Sequence, residues 1–411
     1  MGGTETHSVK DQRGAIATPA SEVDSNRAEF RQQGYLVLPG LLDPAVDLAP
    51  LQRAYSELVD RLADHLCGRL LEQVIPNYAE LDFPSRMAGL IGVSRGSVFD
   101  HLAPGLNIFE RGYRRWANAP SAQPAELFAL ISNPRILDAV ESIIGPEIWA
   151  APGFYFNFKM AERHRQLRRR SEALARQQGV PKRSVLPPAR FIREFQVGQT
   201  PWHMDAYPGL GEPGKHNYIV VWVPMTRSDI ENGTLRILPS SHLNGYCDFP
   251  REREHEAVTI EAQPGDVVIM DGQTFHASLP NRSRERYRWA FNFRYMPPGG
   301  LYGRRYLPGF VARSRSNPGS VLNDAELWRQ SWEAALDFVS RYELPLKHNF
   351  FMTAEETRQL DDRWQQLVPD HAAWLELHRK GNIWKAAWCS LRKMIDRAYG
   401  RVLYFKEQRG R

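Results

Sequence analysis

The chain has 411 residues, of which 42% are hydrophobic, 24% charged and 11% aromatic, a composition that excludes global disorder and allows a substantial core. Three cysteines, Cys67, Cys247 and Cys389, with no Cys-x-x-Cys pair among them, exclude a disulfide-stapled secreted scaffold and a cysteine-built zinc or redox site. The net charge of +6 admits nucleic acid or a small anion as a partner, but much of the excess falls between Arg163 and Arg183, where a solvated basic helix explains it equally well.

Residues 1–26 read as a flexible leader, rich in Gly, Ser, Thr and charge and without the apolar core of a signal peptide. No later window is apolar for the length of a membrane span, so the expected location is cytoplasmic with no membrane partner. From Arg27 to Leu62 the periodicity predicts a helix, a short strand at Tyr35 to Leu38, a turn at Pro39-Gly40 and a second helix. "PAELFALISNPRILDAVESIIGPEI" predicts two short helices broken near Asn133-Pro134 and stopped by Gly145-Pro146, with a strand to follow.

Strands are predicted at Phe154 to Lys159 and Phe191 to Gln196, separated by a basic helical insertion at about 160–189. "NYIVVWVPM", "GTLRILP", "AVTIEAQ", "DVVIM", "TFHASLP" and "RYRWAFNFRYM" then follow in quick succession, punctuated by Asn232-Gly233, Pro264-Gly265 and Asp271-Gly272. Many short, closely spaced strands define a mainly β chain, a sandwich or jelly-roll barrel with surrounding helices. Residues 299–411 turn helical in spacing and carry many of the 11 tryptophans, an extension that packs on the barrel or forms a subunit contact such as a homodimer.

His203-Met204-Asp205 places two metal-ligand side chains at i and i+2, which point to the same side of an extended backbone. Chance supplies His-x-Asp often, but here the motif follows a strand signal, and His276 lies in the short strand "TFHASLP" just after an Asp-Gly turn. Two imidazoles and one carboxylate on one face of an octahedral iron(II) leave the opposite positions open for a co-substrate and dioxygen. A core histidine satisfied by a carbonyl is the competing reading of His276. His216 and His242 lack a carboxylate two residues away, and His255 sits in a charged loop.

A keto acid co-substrate such as 2-oxoglutarate chelates iron at one end and needs a cationic fork for its distal carboxylate. In "RYRWAFNFRY" strand alternation puts Arg288, Ala290, Asn292 and Arg294 on one face and Trp289, Phe291, Phe293 and Tyr295 on the other, packed outward under helices. Arg288 is the choice for the carboxylate, with the hydroxyl of Ser278 beside it and Arg286, nearer the turn, as the alternative. Arg294 reaches the substrate or the other end of the co-substrate, or else pairs with a structural carboxylate.

These residues resemble the phytanoyl-CoA dioxygenase family of 2-oxoglutarate-dependent oxygenases. "EFRQQGYLVLPGLL" is similar to the family's opening and "GPEI" to its element before the first barrel strands. "WHMD" matches the metal-binding His-x-Asp, "WVPMTRSDIENGTLRILPSSH" the Asn-Gly to Pro-Gly-Ser-His segment, and "GDVVIMDGQTFHASLPNRS" the segment of the second histidine. The resemblance spans about residues 27–298 and implies a double-stranded β-helix of cupin type that uses iron(II), 2-oxoglutarate and dioxygen. It implies His203, Asp205 and His276 as iron ligands, Ser278 and Arg288 on the distal carboxylate, Trp222 lining the co-substrate pocket, and Asn232 and Gly233 shaping a turn. Ser240 and Ala277 replace glycines usual in the family, and Arg288 sits one residue later than in some members.

Hydroxylation of a small metabolite, in specialised metabolism, is the expected reaction; Asp205 argues against a halogenase, in which Gly or Ala replaces the carboxylate. Desaturation, epoxidation and ring formation share the same metal site. Lys159, Arg193, Lys215 and Arg294 are the candidates for positive charge near the mouth, suited to a carboxylate or phosphate substrate. The alternatives from other classes are a nucleic-acid-modifying oxygenase and a non-catalytic metal-binding barrel.

Overall fold

The computed structural model describes residues 20–103, 122–180, 198–205, 218–245, 247–298 and 307–341, with two isolated positions beyond. The predicted strand at Phe191 to Gln196, the candidates Arg193 and Lys215, His216 and the later C-terminal helices lie outside the described residues.

The N-terminal third is helical: α1 (Ala20–Gln33), α2 (Ala49–Cys67), α3 (Leu71–Val74), α4 (Phe83–Val93), α5 (Val98–Leu102), α6 (Ala125–Ile131) and α7 (Pro134–Ile144), with β1 (Tyr35–Leu38) between α1 and α2. The first helix begins at Ala20, ahead of the leader boundary expected at residue 26. Asp82 caps α4 by accepting from the Ser85 N–H, and Asn133 caps α7 in the same way through Arg135, so the break before Pro134 is an N-terminal cap followed by proline in the first turn.

After β2 (Glu147–Ala150) and β3 (Tyr155–Lys159), α8 (Glu162–Gln177) packs on α4 closely enough that a Cβ at Gly92 would overlap the carbonyl oxygen of Arg168. Most arginines of α8 are spent in ion pairs: Arg163 with Asp82 and Glu285, Arg165 with Glu162, and Arg168 and Arg176 with Glu172. Four of the six arginines of this helix are thus paired at short range.

The remaining strands are β4 (Thr200–His203), β5 (Ile219–Pro224), β6 (Leu235–Ile237), β7 (Val258–Ile260), β8 (Val267–Asp271), β9 (His276–Ser278), β10 (Arg288–Met296) and β11 (Phe310–Ser314), followed by α9 (Ala325–Arg341). They form two antiparallel sheets. One has seven strands in the order β1-β8-β5-β10-β2-β11, with β3 also paired to β10; the other has four, β4-β9-β6-β7. Strand β11 departs from the purely helical reading of residues 299–411: "FVARS" is too short to show a period, and its pairing with β2 across a register shift supplies the order that local pattern does not.

Strand β10 organises the large sheet. Its outer face, Trp289, Phe291, Phe293 and Tyr295, is buried as expected: Trp289 stacks on Phe83 of α4 at 5.0 Å, Phe291 meets Tyr55 of α2 edge-on at 5.0 Å, and the Tyr295 hydroxyl donates to the Ile131 carbonyl at 2.7 Å. Helix α9 turns Trp328 and Trp332 onto Phe128, Phe310 and Phe154, so its aromatic face is spent on its own chain. No helix among the described residues is long and apolar enough to cross a membrane.

Candidate metal and co-substrate site

The strand pairing that brings β4 beside β9 sets His203 directly opposite His276, with ring centroids 4.2 Å apart. Each ring uses Nδ1 on a carbonyl two residues back, His203 on Pro201 at 2.9 Å and His276 on Thr274 at 3.1 Å. Donation from Nδ1–H leaves Nε2 as the lone-pair nitrogen in both rings, the tautomer a metal requires. Asp205 lies just past the end of β4, and its Oδ1 stands 3.7 Å from His203 Nε2. One ligand atom from each of the three residues falls within 4.8 Å of the others, a span that one ion can bridge.

The electrostatics fit the same use. Burial, then the charge of His203, pushes the His276 imidazolium down to about 4, so the ring is neutral and ready to ligate at neutral pH. Burial alone would raise the Asp205 carboxyl, but Arg294, His276 and His203 outweigh it and hold it well below the usual carboxylate range. Arg294 donates from Nη2 to Asp205 Oδ2 at 2.6 Å and lies over the Tyr155 ring, its guanidinium carbon 3.8 Å from the ring centre. The cation expected near the mouth is therefore buried against a proposed metal ligand.

A second cluster gathers toward the other end of β10, on the same face. Lys159 pairs in register with Arg288, and both are buried, at 1% and 2% exposure. Lys159 Nζ donates to Ser278 Oγ at 2.8 Å and to the Leu279 carbonyl, while Arg288 Nε donates to the Gly233 carbonyl at 3.2 Å. Ser278 Oγ also accepts from the Thr200 N–H at 3.2 Å, so its own O–H remains to donate. Trp222, from β5, lies beneath Arg288 at 5.9 Å, and its buried indole N–H has no partner among the described residues.

Among the described residues no carboxylate pairs with either cation. Burial lowers the Arg288 guanidinium to about 9, and burial followed by Arg288 pushes the Lys159 ammonium well below its usual range. Two buried cations and two unengaged donors around one space are chemically complementary to an anion. Lys159, expected at the mouth, is part of this nest. Arg286 is half-exposed and tied to buried Asp229 and exposed Glu231.

Between the two clusters, Asn157 donates to Asn292 Oδ1 at 2.7 Å, and with Tyr155 these are residues that sequence reasoning missed. Their signal is the pairing of β3 with β10, a contact across more than 130 residues and an intervening helix. His242 proves structural: its Nε2 meets the Arg31 carbonyl at 3.1 Å, and a Cβ at Gly34 would collide with its ring. Asn232 shapes the turn before β6, accepting from the Asp229 N–H and donating to the Arg227 carbonyl.

The model of the phytanoyl-CoA dioxygenase (PhyH) family matches residues 30–289, more than half of the chain. The chain belongs to this family. Curated relatives include the dioxygenase peniF of Penicillium patulum, 42% identical over 90 residues, covering 21% of this chain and 29% of that protein. Another is a phytanoyl-CoA dioxygenase domain-containing protein 1 homolog of Dictyostelium discoideum, 30% identical over 102 residues, covering 20% and 36%. The matches thus span well under half of those relatives' lengths. Among solved structures the chain is similar to a non-heme monooxygenase, the ThoJ–Ni complex, at 18% identity and a TM-score of 0.44, covering 82% of this chain and 99% of that one.

Proposed function

We propose that this protein is an iron(II)- and 2-oxoglutarate-dependent dioxygenase that hydroxylates a small-molecule metabolite and releases succinate and carbon dioxide. The observation that carries the reading is the pairing of two clusters along β10: a His-Asp-His set at one end and an unneutralised buried dication at the other. A non-catalytic metal-binding barrel gives no reason to keep Lys159 and Arg288 buried without a counter-ion.

In this reading the two sheets are the walls of a double-stranded β-helix, the cupin-like jelly roll. His203, Asp205 and His276 hold iron(II), which when bound supplies dioxygen activation coupled to oxidative decarboxylation of the co-substrate. Lys159, Arg288 and Ser278 bind the distal carboxylate of 2-oxoglutarate: the guanidinium and ammonium neutralise it, and the hydroxyl donates to it. Trp222 walls this space and excludes water, so that both cations act at low dielectric. Asp205 stays ionised under the charge of Arg294, and both histidines turn Nε2 toward the site by using Nδ1 on a backbone carbonyl.

The setting proposed is specialised metabolism in the cytoplasm, with a small molecule as partner. Of the four cations expected for an anionic substrate, Lys159 and Arg294 are committed inside, which leaves Arg193 and Lys215 to carry that preference. Anaerobic iron(II) with 2-oxoglutarate is expected to give a visible charge-transfer band that His203→Ala and His276→Ala lose. A folded wild-type protein without the band refutes the proposal. Screening metabolites for stimulated succinate release, with mass spectrometry of the products, then identifies the substrate.

A further inference from the structure

The two histidines and Asp205 are not held alike. His203 and His276 sit in a strand ladder, and each ring is anchored by a backbone carbonyl. Asp205 lies outside that ladder, and the interaction that fixes its carboxylate is Arg294. The guanidinium is built in from three sides: Nη2 donates to Asp205 Oδ2, Nη1 approaches the Gly153 carbonyl at 3.4 Å, and its face rests on Tyr155. Its own backbone is locked in β10 opposite Val220. The contact uses one oxygen, Oδ2, and leaves the other, Oδ1, toward His203 Nε2.

We propose that Arg294 is a positioning residue that occupies one oxygen of Asp205, so that Asp205 offers a metal the other oxygen alone. The inference rests on the reading of His203, Asp205 and His276 as metal ligands. Its chemical consequence concerns coordination number. Three monodentate ligands on an octahedral ion leave three positions, two for a chelating keto acid and one for dioxygen; a carboxylate binding through both oxygens would remove one of them. Lysine could supply the charge but not the planar fork that stacks on Tyr155 while donating along its edge.

The test uses Co(II) alone, without co-substrate, on the full chain. Arg294→Gln and Arg294→Lys are expected to weaken Co(II) binding 10- to 100-fold, the usual cost of losing an outer partner of a metal ligand, and to alter the Co(II) d–d absorption. Tyr155→Leu, which leaves charge and carboxylate in place, shifts both readouts less and in the same direction. Arg286→Gln, at the surface, leaves both unchanged. Circular dichroism establishes that each variant is folded.

The sign discriminates. Removing a cation beside a cation site tightens metal binding by electrostatics alone, so a fall in Arg294→Gln has the direction that positioning requires. Unchanged or tighter binding with an unaltered spectrum overturns the proposal, as does an effect confined to co-substrate or substrate affinity. A wild-type chain that binds no Co(II) removes the metal reading and this inference together.

Discussion

Lys159→Met separates what the cationic nest does for binding from what it costs in folding. Lys159 is buried beside Arg288, and burial and that neighbour both act against its charged form. Without an anion the ammonium contributes hydrogen bonds to Ser278 and the Leu279 carbonyl, together worth about 1–3 kcal/mol, against the desolvation of a charge next to a like charge. These oppose each other, so Lys159→Met is expected to shift the stability of the co-substrate-free protein by no more than about 1–2 kcal/mol, a few degrees in melting temperature. With a carboxylate in the nest the balance is one-sided: losing a charge-assisted hydrogen bond worth about 1.5–3 kcal/mol weakens 2-oxoglutarate binding roughly 10- to 150-fold. Titration of the anaerobic iron(II) protein with 2-oxoglutarate, followed by the charge-transfer band, measures the second quantity, and thermal unfolding the first. Unchanged affinity in a variant of near-normal stability refutes the assignment of Lys159 to the distal carboxylate.

Arg288→Ala is expected to weaken 2-oxoglutarate binding by at least as much, while Arg286→Ala, which removes the pairs to buried Asp229 and exposed Glu231, leaves it unchanged; equal effects on affinity would reinstate Arg286. Gly233→Ala should lower both stability and co-substrate affinity, because Gly233 has a φ of +91°, its Cβ would stand 2.6 Å from the Leu279 carbonyl oxygen, and its own carbonyl anchors Arg288; a variant with wild-type melting and affinity contradicts this. The metal-free protein should lose stability as pH falls. His276 has a folded value of about 4 against about 6.5 unfolded, so the unfolded chain takes up the proton first, and about 3 kcal/mol disappears from pH 6.5 down through 4. Denaturant unfolding at a series of pH values measures it, and His276→Asn should flatten that slope; a slope unchanged by the substitution removes the argument.

The candidate metal cluster was legible because its parts are local. His203 and Asp205 need only the period of an extended strand, and the turn signal before His276 marks where β9 begins. The outward aromatic face and inward polar face of β10 were legible for the same reason, since alternation is a property of one strand. Lys159 was visible as a candidate but assigned to the mouth, because its place depends on β3 pairing with β10 across α8. Arg294 could be narrowed to a few roles and no further, because the choice depends on how β4 and β10, in different sheets, approach each other. Strand β11 was missed because its five residues acquire order from β2 and not from their own pattern.

Strand β10 also explains why the two clusters hold together. Arg288 and Arg294 are six residues apart on one face of it, so a slip of one residue would turn both outward and bring Trp289 and Phe291 into the polar interior. That slip is opposed by the ring contacts of Trp289 with Phe83 and Phe156 and of Phe291 with Tyr55. Each such aromatic pair contributes about 0.5–1.5 kcal/mol beyond burial. The apolar side of the strand therefore fixes the register, and through it the separation between the Arg288 end and the end that holds Asp205. Arg294 on the inner face is paired with Asp205, but Arg288 is buried without a carboxylate partner among the described residues, and the outer face supplies the packing energy that holds it there.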